Sequence, residues 1–217
     1  MTECPDYIQI NRTSWDAKAD EYAGYALHQW SGEPAWGIFS VPDAEVGVLP
    51  DDLVGKQVLD AGCGTGYVSA WMARRGANPV GVDNSPRQLA TAARFQDRYD
   101  LQFPLILGIA EELPFRDETF DVVISEYGAS LWSDPYRWIP EASRVLRPGG
   151  ELVILSSTLF VTMFVFDDET IPADRTLKRD YFGAHSQQGR MTPEWSSTSP
   201  METGSRPFTA INSTLPT

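Results

Sequence analysis

Cysteine is nearly absent from these 217 residues: Cys4 and Cys63 are the only two. Two cannot build the disulfide framework of a small secreted domain, and a reducing compartment fits best. Histidine is as sparse, at positions 28 and 185. Neither has a Cys, His or Asp partner at metal-ligand spacing, so no metal site is expected. Basic residues are in deficit, 17 against 30 acidic, for a formal charge of −13. That excludes an unaided grip on nucleic acid, whose phosphates need neutralising. The acidic surplus reads as a solubility device and names no partner. No run of 18 apolar residues exists, so no membrane span is expected. The start, Met1-Thr2-Glu3-Cys4-Pro5-Asp6, lacks the basic-then-apolar order of a secretory leader. No Gly-x-Ser-x-Gly elbow or Ser/His/Asp arrangement is present. What remains is a cytoplasmic chain long enough for one domain with a real core.

What the chain does have is glycine concentrated at one place, Val58-Leu59-Asp60-Ala61-Gly62-Cys63-Gly64-Thr65-Gly66-Tyr67. An apolar run ends in an acid and enters a loop with glycine at every second position. Tyr67–Arg75 then reads as a helix with Val68, Trp71, Met72 and Arg75 on one side. Strand, glycine turn and helix in that order make a site for a small polar ligand. The glycines let backbone approach the ligand, and the helix start offers unpaired N–H groups.

Before the loop, Trp15, Ala19, Tyr22, Ala23, Ala26 and Trp30 recur at helical spacing, predicting a helix over Thr13–Trp30 that Gly24 weakens or divides. Residues 1–10 are expected to be loose. Ser31–Pro50, rich in Gly and Pro, reads as an irregular cover with at most one short helix. After the loop, strands are expected at Gln57–Asp60, Asn78–Asp83, Phe103–Leu107, Phe120–Ser125 and Glu151–Ser156. Helices fall between them. Ser85-Pro86 and Ser133-Asp134-Pro135 open two of these. The second closes at Arg147-Pro148-Gly149-Gly150, and Pro140 kinks or interrupts it. Alternating strands and helices imply an α/β fold, a doubly wound Rossmann-like parallel sheet with helices on both faces. Ligands bind such sheets beyond the carboxyl ends of the strands, where Asp60, Asp83 and Ser125-Glu126-Tyr127 fall.

The spacing Gly-x-Gly-x-Gly, with Asp60 two residues ahead, resembles motif I of class I S-adenosylmethionine-dependent methyltransferases. Val82–Asp83, Ala110–Phe115, Phe120–Ser125 and Leu146–Glu151 extend the resemblance over roughly residues 13–183. The nearest type is the group that includes ubiquinone and menaquinone biosynthesis methyltransferases. The resemblance implies S-adenosylmethionine as cofactor, S-adenosylhomocysteine as product and a small-molecule acceptor. It implies cofactor binding by Asp60, Gly62, Cys63, Gly64, Gly66, Asp83, Asn84, Ala110, Glu111 and Ser125. Asp83, 17 residues after Gly66, is placed for both ribose hydroxyls or for capping the next helix. Asp60 either approaches the methionine ammonium or braces the turn. Asn84 and Ser85 border the adenine or cap. An acid commonly precedes the alanine equivalent to Ala110; here Ile109 stands there. The adenine amino group is thereby left to Glu111 or to backbone, Glu111 being equally readable as a solvated loop acid. Glu126, Tyr127 and Tyr22 are substrate-binding candidates, with packing as the alternative for the aromatics. His28 is a possible base, but no catalytic residue is identified, and in-line positioning alone supplies much of the rate.

The segments divide as a helical lid over residues 1–50, a cofactor domain over 51–183 and an irregular tail over 184–217. Folds of this type usually close with an antiparallel edge hairpin, and here it is expected to be incomplete. The tail turns to Ser, Thr, Pro, Gly and Gln, a composition that cannot bury much apolar area. Back-translating Pro193–Ser205 and reading one base earlier permits a family-like sequence, so a frameshift is one explanation, and gene sequencing with the mass of the expressed protein tests it. The rival functions are a truncated methyltransferase-like binding protein without turnover and a nicotinamide-dependent oxidoreductase, the latter disfavoured by the glycine spacing.

Overall fold

In a computed structural model the chain is described at residues 6–37, 39–157, 163–164, 171 and 174–178. Contacts divide it into two units, the first carrying everything up to Ser156. Of the second, the described residues show a short polar turn in which Lys178 pairs with Asp174 at 2.9 Å.

The first unit begins with α1 (Asp6–Ser31), a single 26-residue helix. It starts well before Thr13, so residues 6–10 are helical rather than loose. Gly24 does not divide it, because that glycine is exposed while Ile8, Ala19, Ala26 and Trp30 are buried on the other side. Gly24 costs about 1 kcal/mol against alanine, and the packed face offsets it. A miniature hairpin, β1 (Ala35–Trp36) with β2 (Val41–Pro42), and α2 (Asp43–Val46) form the cover. The single short helix was expected; the hairpin was not, since two-residue strands leave no alternation to read.

The sheet is β3 (Gln57–Ala61), β4 (Asn78–Asp83), β5 (Leu105–Leu107), β6 (Phe120–Glu126) and β7 (Leu146–Leu155). Its order is β5-β4-β3-β6-β7, every neighbouring pair parallel. Between the strands run α3 (Tyr67–Arg74), α4 (Pro86–Tyr99), α5 (Ala129–Trp132) and α6 (Pro135–Val145). Order reverses between β3 and β6, and the crossovers place separate apolar clusters around the sheet. Val58, Leu59, Val122, Val123 and Ile124 are buried, as a central strand covered on both faces requires.

Local chemistry sets the helix starts. Ser85 caps α4, accepting from Gln88 N at 3.1 Å with Pro86 at the first position. Asp134 caps α6, accepting from Tyr136 N at 2.9 Å. Pro140 neither ends nor splits α6, which runs on to Val145. Strand β7 begins earlier than Glu151. Leu146 already pairs with Phe120, a register irregularity follows, and Glu151 then pairs with Val122. Arg147–Gly150 thus lies within the strand assignment rather than before it. The edge hairpin and the tail after Ala184 lie outside the described residues. Among those described, no helix is long and apolar enough to cross a membrane.

Candidate active site

At the carboxyl ends of β3, β4, β5 and β6 the strands open into a cavity of about 990 Å³, counting its open mouth. The glycine loop forms its floor. Gly62 has φ +77°, and a Cβ there would stand 2.4 Å from Ala129 N. Its constraint is therefore the neighbouring loop, where Gly128 and Ala129 follow β6. Gly64 also has positive φ, yet a Cβ on it would meet nothing within 4 Å. That glycine faces open space, as a cradle for a ligand should. Gly64 N donates to Asp83 Oδ2 at 2.8 Å, and Gly62 N and Cys63 N both donate to Val82 O. The loop is thus sewn to the end of β4.

Among the described residues, four carboxylates line this space, Asp60, Asp83, Glu111 and Glu126, and burial raises three of them. Asp60, 1% exposed, accepts at Oδ2 from Ser69 N at 3.1 Å and Ser69 Oγ at 2.8 Å. Burial, with Glu126 and Asp83 adding repulsion, pushes its pKa up to about 7 against the opposing Ser69 hydrogen bonds. Asp83 is also raised by burial, opposed by bonds from the Ser85, Gly64 and Asn84 backbone. Burial raises Glu126, opposed by Tyr67 and Gly37. Arg12 is the one Lys or Arg lining the cavity among the described residues. The Cys63 thiol is pushed up by burial and both aspartates, which leaves it inert.

Helix α1 roofs one end. Arg12 Nε donates to both Asn84 O and Asn84 Oδ1 at 3.0 Å, and Asn84 Nδ2 donates to Ile8 O at 2.9 Å. Tyr7 donates to Glu111 Oε1 at 2.8 Å, and Ser85 Oγ donates to Asp16. Asn11 Nδ2 reaches Trp132 O. Further along, Trp30 Nε1 donates to Thr65 O at 2.9 Å, and its ring stacks among Phe95, Tyr99 and Phe103. The helix is anchored at both ends.

Of the expected site residues, Asp60, Gly62, Cys63, Gly64, Asp83, Asn84, Ala110, Glu111, Glu126, Tyr127 and Tyr22 line the cavity. Gly66 and Ser125 do not. Gly66 is the left-handed N-cap of α3, against Ala92 and Phe103. Ser125 is fully buried behind the wall, donating to Ala61 O at 2.9 Å and accepting from Ser130 N at 3.0 Å. His28 is exposed and away from the cavity. The sequence reading missed Tyr67, and it missed Tyr7, Ile8, Asn11 and Arg12 because their helix appeared to begin later. It also missed Gln88, whose Oε1 is the one buried side-chain polar atom without a partner among the described residues. No group of His, Cys, Asp and Glu suited to a metal occurs among the described residues.

Residues 59–154 match the family model described as "Methyltransferase domain". Over that stretch, just under half of its length, the chain is similar to a methyltransferase domain. It is 38% identical over 117 residues to an uncharacterized methyltransferase of Mycobacterium bovis, covering 54% of this chain and 45% of that one. A demethylmenaquinone methyltransferase of Tropheryma whipplei is 38% identical over 101 residues, covering 46% of this chain and 41% of that one. The matches therefore span less than half of either relative. A solved structure from Methanococcus maripaludis, provisionally described as an S-adenosyl-L-methionine-dependent methyltransferase, superposes with TM-score 0.55 at 21% identity. It covers 64% of this chain and 63% of that one, and shows that the domain shares its Rossmann-like fold.

Proposed function

We propose that the domain transfers a methyl group from S-adenosylmethionine to a small-molecule acceptor. The observation that carries this is charge. Asp60, Asp83 and Glu126 are raised by burial in one cavity that, among the described residues, a single arginine lines. A ligand bearing a sulfonium and an ammonium relieves that repulsion; an anionic dinucleotide increases it. The residues fit the cofactor in other respects. Gly64 leaves room for its backbone-side approach. Sheet order places Asp83 of β4 between the glycine loop and Ile109–Glu111 after β5, so a ribose at Asp83 puts its base against Ile109 and Ala110. The orphaned Gln88 Oε1 adds an acceptor on a residue that lines the cavity with Asp83 and Ser85. When bound, S-adenosylmethionine supplies an electrophilic methyl group with a neutral leaving group. The chain's own part is to hold the reactants in line and shut out water beneath α1.

Calorimetric titration with S-adenosylmethionine, S-adenosylhomocysteine and NAD tests the reading. Micromolar binding of the first two, about −8 kcal/mol, with none of NAD is the expected result. Folded protein that binds neither, or binds only NAD, overturns it. Transfer of label from S-adenosylmethionine into a metabolite extract tests turnover.

A further inference from the structure

Tyr67 opens α3 directly behind the glycine loop and lines the cavity. Its hydroxyl donates to Oε2 of Glu126, the last residue of β6. The other oxygen, Oε1, accepts from Gly37 N at 3.1 Å. A backbone N–H only donates, and the single phenol proton is committed to Oε2. The lone pairs of Tyr67 Oη therefore remain for a donor inside the cavity. No Lys, Arg or His forms an ion pair with Glu126 among the described residues. Glu126 is 8% exposed, and its carboxylate accepts two hydrogen bonds. Burial pushes both it and the Tyr67 phenol upward, so the phenol stays neutral and the carboxylate is ready to take a proton.

The walls here are aromatic. Trp15 meets Tyr22 edge-on at 4.9 Å and Trp132 at 5.3 Å, and Tyr127 lines the same cavity. Arg12, the one Lys or Arg lining the cavity among the described residues, is tied to Asn84. Such a wall suits a flat, uncharged molecule and disfavours a carboxylate or phosphate.

We propose that Tyr67 is a catalytic residue that takes the proton of an uncharged aromatic hydroxyl acceptor, with Glu126 behind it as the final proton sink. The inference rests on the S-adenosylmethionine reading above. In the step, a lone pair on the acceptor oxygen forms the new C–O bond to the methyl carbon, and the C–S bond breaks with its pair going to sulfur. The acceptor proton moves to Tyr67 Oη as the Tyr67 proton moves to Glu126 Oε2. The positive sulfonium and the negative carboxylate both end neutral, so charge balances.

The test loads wild type, Y67F and E126Q with S-adenosylhomocysteine, confirmed by calorimetry, and titrates each with 4-nitrophenol, whose absorbance separates phenol from phenolate. All three are expected to bind the probe saturably. In wild type the bound probe ionises about one pH unit lower than free probe, roughly a tenfold change in its ionisation constant. In both variants that shift is lost while affinity for S-adenosylhomocysteine is retained. No saturable binding by loaded wild type, or equal ionisation in all three proteins, overturns the proposal. If Y67F fails to fold, E126Q decides, because its amide oxygen can still accept from Tyr67 while the proton sink is gone, the Gly37 contact being lost with it. Folded wild type that does not bind S-adenosylhomocysteine defeats the cofactor reading itself, a result distinct from these.

Discussion

Gly62 and Gly64 stand two residues apart and answer to different constraints. A methyl on Gly62 collides with backbone at Gly128 and Ala129, so Gly62→Ala requires the β6–α5 loop to move. We expect a loss of roughly 3 kcal/mol or more in urea unfolding, the range for strain at a special backbone site. Gly64→Ala meets no atom but carries left-handed strain of about 1–2 kcal/mol. It should fold and lose cofactor affinity in calorimetry, the reverse balance. Asp60 makes a pH prediction. Its carboxyl rises to about 7 on folding, so the folded state prefers it protonated. Its stabilising contribution is fully present below the ordinary carboxylate range near pH 4 and is lost as pH rises through about 7. Asp60→Asn should therefore flatten the fall in unfolding temperature between pH 4 and 7. A cationic ligand favours the ionised form, so S-adenosylmethionine should bind wild type more tightly at pH 8 than at pH 6, with proton release detectable in buffers of different ionisation enthalpy.

At the scale of elements, α1 is the part whose anchoring the sequence showed least. Its apolar positions announce a helix, but the polar residues that latch it, Tyr7, Arg12 and Asp16, carry no periodic signal. Their partners, Glu111, Asn84 and Ser85, lie about 70 to 100 residues away. Arg12→Ala removes two hydrogen bonds at a partly exposed site and should cost about 1 kcal/mol or less of stability. It should speed cofactor release in stopped-flow more than it changes unfolding. Trp30→Ala removes the fully buried ring between α1, α3 and α4, and about 3–5 kcal/mol in urea unfolding is expected. The sheet was legible by contrast. Central strands must be continuously apolar and capped helices must begin at Ser85 and Asp134, so these elements fell within a few residues of their expected places. Strand β7 and the β1–β2 hairpin did not, because a register irregularity and a two-residue pairing depend on neighbouring backbone rather than on local sequence.

For the whole molecule, the charge of −13 acts as diffuse self-repulsion. Raising salt to about 0.15 M shortens the screening length to roughly 8 Å, so the unfolding temperature should rise over that range. The repulsion is concentrated inside the cavity as well as spread over the surface, and cofactor should raise the unfolding temperature further by relieving it.

By itself the sequence determined that strands and helices alternate, that a glycine loop follows the first sheet strand and that acids end successive strands. Those features are local: chain periodicity, capping side chains and backbone angles that only glycine adopts easily. Tertiary structure alone decided which glycine faces open space and which faces a loop. It took Ser125 and Gly66 out of the cavity and set Tyr67 against Glu126. These depend on distances between residues far apart in the chain, such as the 59 positions separating Tyr67 from Glu126. Burial then raises the carboxyls that such juxtaposition brings together, and no residue carries that shift before the chain has folded.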